Sequence, residues 1–261
     1  MAGLLSGTQG ALTINTADVA DDAITLAKMA PGTDGQILTY DASGNISAVG
    51  PGTDGQVLTS TGAGSPPAFE AAAGGAWNFI STTTFSSTPN YTFTGFNSAT
   101  YDAYMFMLIN VIPATDGVYL NMYTSTDGGS NYDSGSTDYN WVFNSSTVNN
   151  SDSGVDGDID ADDSVIKLTG DTSGAANQGG SGSEEHGVSG QIWLYDPAST
   201  KNTHGTYDLM YQSTTPESVV QIAKGGFARM SAADVDAIKI EFTSSSAIES
   251  GQINAYGVKN A

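Results

Sequence analysis

Residues 31–50 read PGTDGQILTYDASGNISAVG, and residues 51–70 read PGTDGQVLTSTGAGSPPAFE. The two openings are identical at Pro31/Pro51, Gly32/Gly52, Thr33/Thr53, Asp34/Asp54, Gly35/Gly55, Gln36/Gln56, Leu38/Leu58 and Thr39/Thr59, and Ile37/Val57 is a conservative exchange. The stretch is a tandem repeat. A unit this short has few apolar side chains and cannot bury enough surface to offset its chain entropy. Such units become ordered by stacking on neighbours or by wrapping around identical copies of themselves. Within each unit, Pro-Gly and Asp-Gly mark turns, and Gln-(Ile/Val)-Leu-Thr reads as a short strand. Asp41–Asn45 supplies a second turn in the first unit and Ser60–Pro67 in the second. Residues 71–76, AAAGGA, read as a small-residue hinge. The repeat predicts a stalk built by several parallel chains, with the C-terminal part of each chain carried at its end.

The C-terminal part has a different texture. From Trp77 onward, short apolar or alternating runs recur between turn signals. Strands are expected near 77–84, 90–96, 101–112, 117–124, 138–144, 164–169, 188–195, 206–212, 217–224, 235–243 and 251–258. Many short strands with no long helical pattern predict an antiparallel β-sandwich, jelly-roll-like. The Asn/Asp/Gly/Ser-rich stretches 145–163 and 170–187 are expected as the longest loops, at one end of that sandwich. Ahead of the repeats, residues 16–30 read TADVADDAITLAKMA. Thr16 or Asp18 is a candidate cap, and Val19, Ala23, Leu26 and Ala30 come after it at helical spacing. A helix this short is marginal alone in water, and a three-chain bundle would stabilise it. The expected fold class is all-β. Residues 1–30 are an N-terminal anchor with a short helical segment, 31–76 the fibrous repeat stalk and hinge, and 77–261 the sandwich head.

Charge narrows the function classes. The chain carries 28 acidic and seven basic residues, a formal net charge of −21. The basic residues are scattered, so no cluster can neutralise a run of phosphates, and nucleic acid is not an expected partner. Anionic membranes repel such a chain as well. The absence of cysteine excludes disulfides and thiolate zinc sites. The opening MAGLLSGTQG has no basic n-region, and no window approaches the length of a membrane span. Synthesis in a cytoplasm and no membrane insertion are the expectations.

The repeats PGTDGQ(I/V)LT, preceded by DDAITLAKMA, resemble the shafts of tailed-bacteriophage fibre and appendage proteins. The segments 101–135, 191–200 (QIWLYDPAST), 231–242 (SAADVDAIKIEF) and 253–261 (INAYGVKNA) are similar to a β-rich C-terminal domain of phage tail-fibre-like and virion structural proteins. The resemblance implies a parallel homotrimer on the virion surface, made in the bacterial host cytoplasm. It implies a non-enzymatic structural role that contributes to host-surface attachment, with a surface glycan or protein as the outer partner. Many tail fibres begin with a long tail-attachment domain, whereas residues 1–30 alone precede the first repeat here. Capsid decoration is therefore the alternative, and residues 1–30 would grip either a tail component or the major capsid protein. An appendage enzyme that degrades glycans is a third class.

Candidate chemistry is sparse. The stretch SDSGVDGDIDADDS carries Asp156, Asp158, Asp160 and Asp162, which are candidate ligands for calcium, a hard cation that takes six to eight oxygens. The EF-hand pattern fails, with Ala161 where Gly is needed and Lys167 where Glu is needed, and a solvated acidic loop is the plainer reading. No other cofactor is expected. Ser125–Tyr132, STDGGSNY, resembles the Asp-box, a motif that locks a hairpin turn; a structural turn is the expectation. His186 and His204 are the only histidines, and Glu184, Glu185 and His186 sit together in a Gly-rich stretch read as a hydrated surface loop. Trp77, Trp141 and Trp193 offer sugar-stacking rings, but all fall within expected strands, so core packing is the expectation.

Overall fold

A computed structural model of the chain describes residues 17, 19, 31–72, 75–115, 117–148, 153–170, 187–213 and 219–260. Apart from Ala17 and Val19, the helix expected over 16–30 lies outside the described residues. The chain divides into two compact units, Met1–Ala73 and Gly74–Ala261.

The first unit consists of two hairpins. β1 (Ile37–Tyr40) pairs antiparallel with β2 (Ile46–Val49), and β3 (Gln56–Thr59) with β4 (Ala68–Ala71). The repeated residues are the working parts of a turn. The Gln36 N–H donates to the Thr33 carbonyl at 3.1 Å, and the Gln36 Oε1 accepts the Thr33 N–H at 2.6 Å. Gln56 and Thr53 repeat both contacts at 3.1 and 2.7 Å. Gly35 and Gly55 occupy the third turn position with φ of 78° and 84°, which side chains resist. The DASGN turn is closed by Asp41, whose Oδ1 accepts the N–H groups of Ser43 and Asn45, each at 2.9 Å. Those hydrogen bonds, led by Asn45, hold the Asp41 carboxyl below its usual range.

The second unit is built from two antiparallel sheets. The larger has eight strands in the order β10-β9-β14-β13-β12-β7-β16-β5. Its members are β5 (Trp77–Thr84), β7 (Tyr101–Pro113), β9 (Tyr139–Val148), β10 (Ser153–Asp163), β12 (Val188–Tyr195), β13 (His204–Ser213), β14 (Val219–Arg229) and β16 (Ile248–Lys259). The smaller has four, ordered β11-β8-β15-β6: β6 (Tyr91–Phe93), β8 (Leu120–Ser125), β11 (Ile166–Lys167) and β15 (Ala237–Phe242). The all-β, antiparallel character expected from the sequence is present, but the sheets are unequal. One hydrophobic core joins them. Tyr104, Phe106, Ile192 and Leu209 from the large sheet pack with Leu120, Met122, Ile166 and Ile240 from the small one. Each such side chain contributes about 1.5–3 kcal/mol of transfer free energy. Phe93 anchors an aromatic cluster, meeting Phe106 edge to face at 5.2 Å and Phe96 at 5.0 Å.

Polar groups inside the sandwich are tied down. The Tyr139 hydroxyl donates to the Asp133 carbonyl at 3.1 Å and accepts the Thr124 N–H at 2.9 Å. Asp133 in turn accepts from Arg229 Nε at 2.8 Å and from Thr124 Oγ1 at 3.0 Å, so a buried guanidinium is neutralised on the spot. Tyr207 lies over Gly225, where an added Cβ would come within 2.3 Å of the phenol oxygen and 2.1 Å of the Val142 carbonyl. Only glycine leaves room for that ring.

The acidic stretch is not the loop expected over 145–163. Residues 139–148 and 153–163 are β9 and β10, paired in register with Gly157 opposite Asn144, Asp158 opposite Phe143 and Asp160 opposite Trp141. β10 is the edge of the eight-stranded sheet. An exposed edge offers unpaired backbone groups to any passing strand, and charge along it opposes such pairing. Aspartates at every second position are compatible with a strand in that place, although they hide it from a reading based on hydrophobicity. The other stretch expected as a long loop, 170–187, lies outside the described residues apart from Gly170 and Gly187.

Candidate functional site

Strand alternation sends every second side chain of the eight-stranded sheet away from the core. In a sandwich that outward face is ordinarily polar. Here it is apolar. One row follows the register from Phe79 on β5 through Tyr256, Met105, Trp193, Thr206, Gly226 and Val142 to Ile159 on β10, with Thr206 as its polar member. Ile159 is 76% exposed, and Phe79, Ile109, Val142, Val220 and Ile222 are exposed beside or within the same face. Met107, Ile109, Gln191, Met210 and Ile222 line an open groove of about 550 Å³ across β7, β12, β13 and β14. At its side, Lys224 Nζ and Asp208 Oδ2 form an ion pair of 2.7 Å.

The end of this face at Trp77 is aromatic. Trp77, 51% exposed, meets Trp193 edge to face at 5.1 Å. Trp193 stacks on Tyr195 at 6.1 Å, Tyr195 lies 5.6 Å from the His204 ring, and Phe79 meets Tyr256 at 5.7 Å. The core placement expected for the three tryptophans therefore holds for Trp141 alone, which is buried with its Nε1–H donating to Asp163 at 3.0 Å. Trp77 and Trp193 are on the outward face. Strand membership was legible, but strand membership alone does not say which way a residue points, because the period of two leaves the phase open.

No family model, curated protein or solved structure matches the chain.

Of the calcium candidates, Asp160 and Asp162 are exposed, Asp162 with φ of 69°, and the side chains of Asp156 and Asp158 lie outside the described residues. Asp163, one residue further on, faces Lys167 Nζ at 2.9 Å. Burial raises its pKa, but hydrogen bonds from Lys167, Trp141 and the Ser164 N–H outweigh that and hold the carboxyl below its usual range. Among the described residues, no three His, Asp or Glu side chains gather as a metal-ligating group, and no helix is long and apolar enough to cross a membrane. Glu184, Glu185 and His186 lie outside the described residues.

Ser125–Tyr132 is a turn. Ser125 Oγ donates to Asp127 Oδ1 at 2.9 Å and accepts the Gly129 N–H at 3.0 Å, while Asn131 donates to both Asp127 oxygens at 2.8 and 2.7 Å. The Asn131 bonds, joined by that of Ser125, lower the Asp127 pKa. Gly128 and Gly129 take φ of 74° and 83°. Lys239 Nζ lies 4.5 Å from the Tyr123 ring centre and 5.1 Å from that of Tyr132, so the motif stabilises a corner of the small sheet.

A second cavity, about 430 Å³, opens beside the small sheet, lined by Asn90, Asn121, Tyr123, Glu241 and Ser244 among others. Burial and the Glu241 charge push the Tyr123 phenol up, opposed by a hydrogen bond from Asn121. The cavity is polar, whereas the open groove on the large sheet is chiefly apolar. Among the described residues, the outward face of the large sheet is a candidate surface of the head, rich in exposed apolar side chains and suited to packing against another surface.

Proposed function

We propose that the chain is a structural protein of a tailed-bacteriophage particle. Three parallel copies form a short fibre whose stalk is residues 31–76 and whose head, residues 77–261, contributes to attachment at the host surface. The observation that carries this reading is the exposure of apolar side chains in the repeat hairpins. Tyr40 is 66% and Ile46 71% exposed, and Ile37, Leu38, Val57 and Leu58 are exposed as well. Hairpins of four-residue strands are at best marginal as isolated structures in water. Identical copies of the same repeat, in register alongside, supply the missing partners. The all-β head and the resemblance of the repeats to phage shafts support the same reading.

Light scattering on the purified full-length chain tests the assembly, with three times the chain mass expected. A stable monomer whose residues 31–70 remain ordered sinks the proposal. Gold-labelled antibody to the head, applied to intact particles, tests the place. Label at the tail supports a tail appendage. Label scattered over the shell replaces it with capsid decoration.

A further inference from the structure

We infer that the outward face of the eight-stranded sheet is the surface through which the heads of neighbouring copies pack against one another; the inference rests on the reading of the chain as a self-assembling fibre. Three observations select this face and this occupant.

The first is strand composition. β7 runs Tyr104, Met105, Phe106, Met107, Leu108, Ile109 without a polar residue. Strands with one solvated face alternate, and strands covered on both faces read as continuous apolar runs. Tyr104, Phe106 and Leu108 are buried in the sandwich core; on the outward face Met105 is buried within the chain, Met107 is half-buried and Ile109 exposed. The run has the composition of a doubly covered strand, and past Met105 its outward side is left partly bare by the single chain.

The second is charge. Two copies of a chain carrying −21 repel one another across most of their surface. Across β14, β13, β12 and β7 the outward face bears Lys224 and Asp208 as its charged side chains, and they neutralise each other at 2.7 Å. Copies can approach along this face with little of the repulsion they meet elsewhere.

The third is size. The face spans eight strands. At about 4.8 Å between strands and about 3.4 Å per residue over eight residues, its area is roughly 900 Å². A stable protein–protein interface buries about 800 Å² on each partner. That area includes polar side chains such as Gln191, Thr206 and Gln252, and the exposed apolar residues distributed among them, from Phe79 to Ile159, mark it as an interaction surface.

The chain has no cysteine, so a single thiol reports on the face without interference. Met210→Cys and Ile222→Cys each place a thiol on it, and Thr92→Cys places one on the exposed side of β6 as a control. Maleimide labelling of the assembled full-length protein is expected to be at least tenfold slower at both face positions than at the control. A trimer in which all three positions label at equal rates overturns the inference and leaves the fibre reading standing. The same outcome arises if a different virion protein covers the face, since the purified chain would leave it bare. A monomeric chain overturns both. Using two face positions guards against one substitution failing to fold.

Discussion

The two faces of the eight-stranded sheet are made by the same strands, yet their relation to water differs completely. Along β13, Tyr207, Leu209 and Tyr211 are buried, while Thr206 and Met210 are exposed and Asp208 is half-buried. The inward face is covered within one chain by the four-stranded sheet. The outward face is more mixed, yet it leaves Phe79, Ile109, Val142, Met210 and Ile222 exposed within the described residues of the head. Apolar composition alone therefore does not mark a core; it marks a surface that needs one, and the partner can belong to another molecule.

This contrast is sharpest at single side chains. Phe106→Ala removes a ring that is fully buried between the sheets and should cost about 3–5 kcal/mol, read as a lower midpoint in denaturant unfolding. Met210→Ala on the outward face should leave the dissociated chain within about 0.5 kcal/mol of the original while weakening assembly. Equal effects at the two positions would erase the distinction between the faces.

Breaking the buried pair comes next. Arg229→Ala leaves the Asp133 carboxylate without its cation behind the inward face and should cost about 3 kcal/mol or slightly more, by the same unfolding measurement. Tyr139→Phe strands the Thr124 N–H and the Asp133 carbonyl and should cost about 1–3 kcal/mol.

Alkaline pH probes the inward face collectively. Burial pushes the Tyr139 phenol up to about 12, and it raises Tyr91, Tyr207 and Tyr211 further still. A group whose folded pKa exceeds its unfolded one favours the folded state below the unfolded pKa. That advantage is lost as pH rises from about 10 toward the folded value. Unfolding should therefore become easier above pH 10, with phenolate absorbance and loss of tertiary signal appearing together. Phenolate absorbance rising smoothly with no unfolding would mean that these hydroxyls are accessible. A small effect belongs to the repeat. Gln56→Ala removes the acceptor of the Thr53 N–H and should cost about 0.5–1.5 kcal/mol, seen as faster amide exchange at Thr53.

Much of the head was legible because its strands are bounded by turn residues. Trp77–Thr84 and Val188–Tyr195 begin and end where the sequence places them, and β7 extends one residue beyond its expected end, to Pro113. β10 was missed because its apolar residues, Val155 and Ile159, are few and its aspartates resemble those of a solvated loop. Backbone pairing with β9 over nearly its whole length outweighs that composition, and an edge position tolerates the charge. The repeat turn was legible down to its glycines. The side-chain acceptor role of Gln36 and Gln56 was not, because an amide can serve equally well as a strand residue.

By itself, the sequence determined the two repeats, the strand-rich head, the acidity and the absence of thiol chemistry, since each stems from residue type and short-range order. Tertiary structure alone decided that Trp141 points into the sandwich while Trp77 and Trp193 point out of it. It also decided that Asp208 and Lys224 meet on the outward face, and that exposed apolar side chains from neighbouring strands share it. A strand's alternation is local, but its phase relative to the core and the identity of its neighbours are set by the pairing of strands far apart in the chain.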